Sequence, residues 1–109
     1  MAKWECVRTE PFASLLQKIE DGILNGSVSA TLEDQSDFAA GSARCSVRVF
    51  ERFSYMGGNR VSLTVTLFDG GDGNIRLSAI TAGGSQAVFF KINTFGEQAF
   101  LDKLKEVLA

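Results

Sequence analysis

Residues 60–68 alternate strictly between apolar and polar side chains, and this period of two constrains the fold more than any other stretch. The apolar and polar positions form two separate sets: Val61, Leu63, Val65 and Leu67 against Ser62, Thr64 and Thr66. Such alternation predicts a strand with one face in a core and the other toward water. Because a lone strand or hairpin is barely stable, the flanking sequence must supply partner strands.

Other alternating runs predict those partners. They lie at 3–8, 27–34, 43–55 and 75–82, separated by turn residues at 34–37, 56–59 and 69–74. In the run 27–34 we expect the apolar set to face the core: Val28, Ala30 and Leu32. In the run 43–55 we expect Cys45, Val47 and Val49 to face inward and Arg44, Ser46, Arg48 and Arg52 to face outward.

Two stretches have helical rather than strand periodicity. Pro11 precedes the stripe Phe12, Leu15, Leu16, Ile19 and Ile23, and Asn25-Gly26 is a good stop. Near the C-terminus, Thr94 and Glu97 have the spacing of a capping box, which predicts that the last helix begins there. Its apolar stripe comprises Phe100, Leu101, Leu104, Val107 and Leu108. Residues 83–93 fit either a short strand or an extended connector.

The predicted order is β-α-β-β-β-β-α within a single domain spanning residues 1–109. Short turns between strands favour an antiparallel meander, so we expect an α+β fold with a curved antiparallel sheet and the C-terminal helix packed on it. This order of elements resembles the TBP-like and helix-grip folds.

Three segments also resemble a family of small, uncharacterised proteins of Gram-positive bacteria. The segments are Gly84-Ser85-Gln86-Ala87-Val88-Phe89-Phe90-Lys91-Ile92-Asn93-Thr94-Phe95-Gly96-Glu97, Gly26-Ser27-Val28-Ser29 and Tyr55-Met56-Gly57-Gly58-Asn59-Arg60. That family is a domain of unknown function, so the resemblance implies a bacterial cytosolic domain and assigns no site residue.

The totals exclude several kinds of chemistry. The net charge of -2 provides no long-range attraction for nucleic acid or an anionic membrane. The chain has no histidine, which rules out nucleophile pairs and metal sites built on histidine. Cys6 and Cys45 are expected to be small buried residues, and the start of the chain has no signal-peptide pattern, so we expect a cytoplasmic protein without a cofactor.

Two loops and one strand face carry candidate sites. The turn 69–74 has the composition of a calcium loop, but a hairpin turn explains it better, and the glycines of 83–86 fit a sharp turn better than a phosphate site. A basic, aromatic patch on the outward sheet face could bind a partner or stack single-stranded RNA: Arg44, Arg48, Phe50, Arg52, Arg60 and Arg76. A solvated sheet face is the simpler interpretation.

The functional hypothesis is a non-enzymatic interaction protein that pairs with itself, as a homodimer, or with a protein partner through the outward sheet face. The alternative is a binding module for a small apolar or amphipathic ligand between the sheet and the last helix, beside Phe89, Phe90 and Phe95. We expect neither nucleic acid nor a membrane as partner. The carboxylates Glu33, Asp34, Asp37 and Glu51 have no pattern that fixes a catalytic pair.

Overall fold

A computed structural model describes residues 1–54, 59–83 and 90–109, and side chains within 1–53, 60–83 and 96–109. The elements are β1 (Ala2–Arg8), α1 (Phe12–Gly26), β2 (Thr31–Ala40), β3 (Ala43–Ser54), β4 (Asn59–Asp69), β5 (Ile75–Gly83) and α2 (Phe90–Leu108). This is the predicted order, and the predicted α+β class is confirmed.

The strands form one open antiparallel sheet in the order β1-β5-β4-β3-β2. Strands β2 to β5 are a meander joined by turns, and β1 pairs with β5 at the far edge, so β4 is the central strand. The turn 69–74 is a hairpin turn as predicted: Asp69 accepts the Gly71 N–H, and Asp72 accepts the Asn74 N–H.

Both helices cover the same face of the sheet, and the core lies between the helices and that face. The apolar side chains predicted to face inward on β4 are buried, and so are Ile75, Leu77 and Ala79 of β5. The helices contribute Phe12, Leu15, Ile19 and Ile23 from α1 and Phe100, Leu101, Leu104 and Leu108 from α2. Packing of the C-terminal helix on the sheet is thus confirmed.

The prediction for β2 was wrong in two respects. Residues 34–37 lie in the middle of the strand rather than in a turn, and the chain reverses at Gly41, whose φ of 59° favours glycine. Val28 precedes the strand and is fully exposed. A shift of register between Leu32 and Asp34 marks a bulge, which changes the face that later residues occupy and defeats a simple alternation rule.

The predicted faces of β3 were inverted. Phe50 pairs with Leu63 on the helix-covered side and is completely buried, so Ser46 and Arg48 share that side, whereas Cys45, Val47 and Val49 lie on the other. Since side chains alternate, a shift of one residue exchanges the two faces of the whole strand.

The start of the last helix was also predicted wrongly. α2 begins at Phe90, so Thr94 is a residue of its first turns and not the residue before it. Glu97 does not cap the helix either: its buried carboxylate accepts the N–H of Gly83, at the end of β5, at 2.8 Å. Within 83–93, residues 90–93 are therefore helical, and residues 84–89 lie outside the described part of the chain.

Candidate interaction surface

The outer face is the side of the sheet opposite the two helices. Strand register arranges its side chains in rows that cross the sheet, and the row nearest the 69–74 turn is here called the apolar row: Val7, Arg76, Phe68, Cys45 and Phe38. Phe38 is 63% exposed, Val7 60% and Phe68 41%. Exposed apolar side chains gathered on one face are typical of interaction sites.

The local sequence explains why this row differs from its neighbours. On β4 the outward positions Ser62, Thr64 and Thr66 are polar, and Phe68 then occupies the next outward position. In the next row inward, the polar Ser78 and Thr66 lie beside Val47. Three exposed apolar side chains of the outer face therefore lie in the apolar row, while Phe53, 49% exposed, lies at the other end of the face.

A groove of about 450 Å³ runs beside Phe68 between β1, β5 and β4. It is lined by residues of all three strands: Glu5, Cys6, Val7, Thr66, Phe68, Arg76, Leu77 and Ser78. Arg76 and Glu5 place opposite charges at its rim. The groove can accept an apolar side chain and orient it through a charged neighbour.

A second row, here called the charged row, crosses the middle of the outer face: Lys3, Ile80, Thr64, Val49 and Asp34. Lys3 lies on one edge strand and Asp34 on the other, so the row has a cation and an anion at opposite ends. Ile80, beside Lys3, is 39% exposed. The row thus has the apolar Ile80 and Val49 on either side of Thr64, and opposite charges at its two ends.

The predicted basic platform does not form, because its residues lie on both faces of the sheet. Arg60 and Arg76 lie on the outer face as expected. Arg44, Arg48, Phe50 and Arg52 lie on the helix side, where the guanidinium of Arg44 stands 4.0 Å from the centre of the Phe12 ring and that of Arg52 stands 4.5 Å from Phe100. Long arginine stems cover apolar rings in this way, so arginine alone does not mark an outward face.

Arg48 is the most deeply buried of these cations. Its Nη1 donates to Asp37 Oδ1 at 3.0 Å and to the Val47 carbonyl at 3.0 Å, and its Nε lies 3.6 Å from a carboxylate oxygen of Glu20. Hydrogen bonds from Ser46 and then Arg48 hold the pKa of Asp37 below its usual range. The guanidinium therefore joins β2, β3 and α1 through one ionic cluster.

A cavity of about 550 Å³ lies beside this cluster, at the β2–β3 hairpin. Its lining includes Leu16 from α1 and Ser42, Arg44 and Arg48 around the hairpin. The charge of Arg48 in this cavity is already balanced by carboxylates, so it is not available to an anionic ligand without breaking the cluster.

The candidate catalytic groups have structural partners. Asp37 binds Arg48, and Glu51 accepts a hydrogen bond from Arg60 Nε at 2.8 Å. Burial raises the pKa of the Cys6 thiol, which reduces its nucleophilicity at neutral pH. Within the described ranges, no group of three or more cysteine, aspartate and glutamate side chains is arranged to hold a metal ion.

The predicted ligand groove beside the last helix falls where side chains are not described. Phe89 lies outside the described residues, and Phe90 and Phe95 belong to α2 with only their backbone described. Further along α2, the described interior is filled by large side chains, with Phe50, Phe100 and Leu104 completely buried.

Comparison with known proteins identifies the family. The family described as Family of unknown function (DUF6054) matches residues 1–109. The chain belongs to that family. No curated protein matches this DUF6054 chain. Neither α1 nor α2 is, over its described residues, long and apolar enough to cross a membrane.

Sequence reasoning missed the outer-face residues of this DUF6054 protein that are most exposed. Phe38 directly follows the predicted turn 34–37, where no strand was expected, and Val7 lies near the end of the short run 3–8. One signal for the apolar row was present in the sequence: Phe68 is apolar, whereas the preceding outward positions of β4 are polar. Recognising the row also required the register of all five strands.

Proposed function

We propose that this protein is a small, non-enzymatic interaction protein that binds a protein surface through the outer face of its sheet. The observation that carries the proposal is the apolar row, in which Phe38, Phe68 and Val7 remain 41–63% exposed on a face that neither helix covers. Burying such side chains against a partner is favourable by about 25 cal/mol per Å² of apolar surface.

Charge on the outer face supports recognition of a protein rather than of nucleic acid. Arg60 is neutralised by Glu51, and Lys3 and Arg76 share the face with Glu5 and Asp34. Such mixed charge suits a protein surface, whereas a nucleic-acid site needs cations that are free to meet phosphates. The filled interior around Phe50 and Phe100 also favours surface docking over the alternative of a small apolar ligand.

The proposed setting is the cytoplasm of Gram-positive bacteria. The resemblance in 26–29, 55–60 and 84–97 supports the source, and the two free thiols support a reducing compartment. Cys6 and Cys45 lie on opposite faces and on strands three spacings apart, which is about 14 Å and too far for a disulfide.

Site-specific photo-crosslinking in the native host tests the proposal. A benzophenone amino acid at Phe68 should form protein adducts, and the same group at Gln98, on the exposed side of α2, should not. Adducts at position 68 but not 98 support docking through the outer face. Absence of adducts at 68, or equal adducts at both positions, would overturn it.

A further inference from the structure

We infer that the partner on the outer face is a second copy of this chain, related by a two-fold axis that runs along β4 between the two sheets. This inference rests on the proposed function and specifies its partner. Over the described residues the sheet has five strands, with β4 at its centre. Rotation about β4 therefore places β1 over the partner's β2, β5 over β3, and β4 over itself.

Because rotation about the strand direction leaves positions along the strands unchanged, each row of one copy faces the same row of the other in reverse order. In the charged row, Lys3 then faces the second copy's Asp34, and Asp34 faces its Lys3. Between these ends, Ile80 faces Val49, and Thr64 faces Thr64. The opposite charges at the two ends are thus self-complementary, as a two-fold interface requires.

The apolar row is matched in the same way. Val7 faces Phe38, Arg76 faces Cys45, and Phe68 faces Phe68 of the other copy. The exposed apolar side chains at the two sheet edges therefore cover each other, and the two Phe68 rings meet at the axis. Arg60 also faces Arg60 of the second copy, and in each copy Glu51, which accepts a hydrogen bond from Arg60 at 2.8 Å, provides the counter-charge.

The size of the outer face fits a stable dimer. The face is roughly 24 Å wide, because its five strands are spaced by about 4.8 Å. It is also roughly 24 Å long at its shortest strand, β1, which has seven residues, and the longer strands β3 and β4 extend it. This is about 580 Å² before that extension, close to the roughly 600 Å² per partner at the lower limit for a specific interface. Face-to-face packing of two sheets with nearly aligned strands is a common arrangement.

Charge exchange between the edges tests the geometry. Lys3→Asp places two anions opposite each other at both ends of the dimer, and Asp34→Lys places two cations there. Each variant alone should weaken dimerisation about tenfold, measured by sedimentation equilibrium. Mixed in equal amounts, the two variants should form a heterodimer of near wild-type affinity, because both ends then carry opposite charges. Asp102→Lys on α2 makes the same charge change as Asp34→Lys, but away from the outer face, and should leave the affinity unchanged.

A second measurement tests the axis directly. With Cys6 and Cys45 changed to serine, Thr64→Cys places one thiol per chain at the proposed axis, and a short bismaleimide should link two chains through it. Gln98→Cys in the same background is the control and should give few linked dimers. Circular dichroism and melting temperature establish that each variant is folded.

The outcomes separate this inference from the proposed function. A wild-type dimer, rescue on mixing and cross-linking at position 64 support the two-fold geometry. A wild-type protein that is monomeric at high concentration, or a dimer whose charge variants are not rescued on mixing, overturns it. In either case, adducts at Phe68 with a different protein would leave the proposed function standing.

Discussion

Gly22 of α1 lies directly against Val107 of α2: a β-carbon added at position 22 would stand 2.4 Å from Val107 Cγ1 and 2.6 Å from Cγ2. Contacts below 3.0 Å force one group to move, and here that group is a branched side chain between two packed helices. Glycine inside a helix ordinarily costs about 1 kcal/mol relative to alanine. At this position it is the residue that lets the two helices touch.

We therefore expect Gly22→Ala to lower the free energy of unfolding by about 1 kcal/mol, since overpacking of about 1–3 kcal/mol exceeds the gain in helix propensity. With Val107→Ala as background, the same change should become neutral or stabilising. Chemical denaturation measures both. Gly26→Ala is the matched control, because its added carbon would meet only the flexible end of Lys103. Equal effects of Gly22→Ala in both backgrounds would contradict the steric explanation.

The main elements of the fold could be predicted from sequence because their patterns are local. The alternation of β4 and the stripe of α1 each specify one buried face, and the structure confirms both. The buried face of β3 could not be predicted in this way, because both faces carry apolar residues: Val47 and Val49 on one, and Phe50 on the other. The arginines on the face of Phe50 contact the rings of Phe12 and Phe100, which come from distant segments of the chain.

The candidate surface was predictable only in outline. A half-covered antiparallel sheet implies an outer face, but which side chains meet on it depends on register across five strands. The bulge after Leu32 places Asp34 opposite Val49, and thereby completes the charged row that begins at Lys3. No local pattern in the sequence specifies that shift.

The Arg48 cluster should make a measurable contribution to stability. Removing a partner from a buried cation leaves charge without compensation, although the 54% exposure of Asp37 allows water to replace part of the interaction. We expect Asp37→Ala and Arg48→Met each to destabilise the protein, with a coupling energy of about 1 kcal/mol in the double-mutant cycle. Glu20→Gln in the Arg48→Met background is the control and should have little effect. Additive effects of Asp37→Ala and Arg48→Met would exclude a productive ion pair.

Asp37 should also make stability depend on pH in the acid range. Its pKa is lower in the folded protein than the ordinary value of 3.8, so the folded state binds its proton less readily than the unfolded state does. The resulting stabilisation is complete above pH 5 and is lost as the pH falls through 3.8 and then through the folded pKa. Asp37→Asn should flatten this part of the stability curve.

Carbon-detected NMR titration of the Asp37 carboxyl group checks the cause of that shift. The hydroxyl of Ser46 donates to Asp37 Oδ1 at 2.6 Å and is the leading cause of the low pKa. Ser46→Ala should therefore raise the pKa of Asp37 toward 3.8. Thr64→Val replaces a polar side chain on the outer face, away from Asp37, and should leave the pKa of Asp37 unaltered. An unaltered pKa in Ser46→Ala would assign the shift to Arg48 alone.

Glu97 should act through its hydrogen bond to the end of β5. Its carboxylate is 7% exposed, with Oε2 bonded to the Gly83 N–H and Oε1 3.0 Å from the Met1 ammonium. Glu97→Ala leaves that N–H without its acceptor, which commonly costs about 1–3 kcal/mol. Glu97→Gln retains an amide oxygen as acceptor, so we expect a smaller loss.

Amide hydrogen exchange at Gly83 distinguishes the possible roles of Glu97. If the bond to the strand end is the main contribution, exchange at Gly83 should accelerate in Glu97→Ala and remain slow in Glu97→Gln. Glu106→Ala, on an exposed position of the same helix, should alter neither stability nor Gly83 exchange. Equal destabilisation by the alanine and glutamine variants would assign the contribution to the ion pair with Met1. Unchanged exchange in Glu97→Ala would show that the bond does not hold the end of β5.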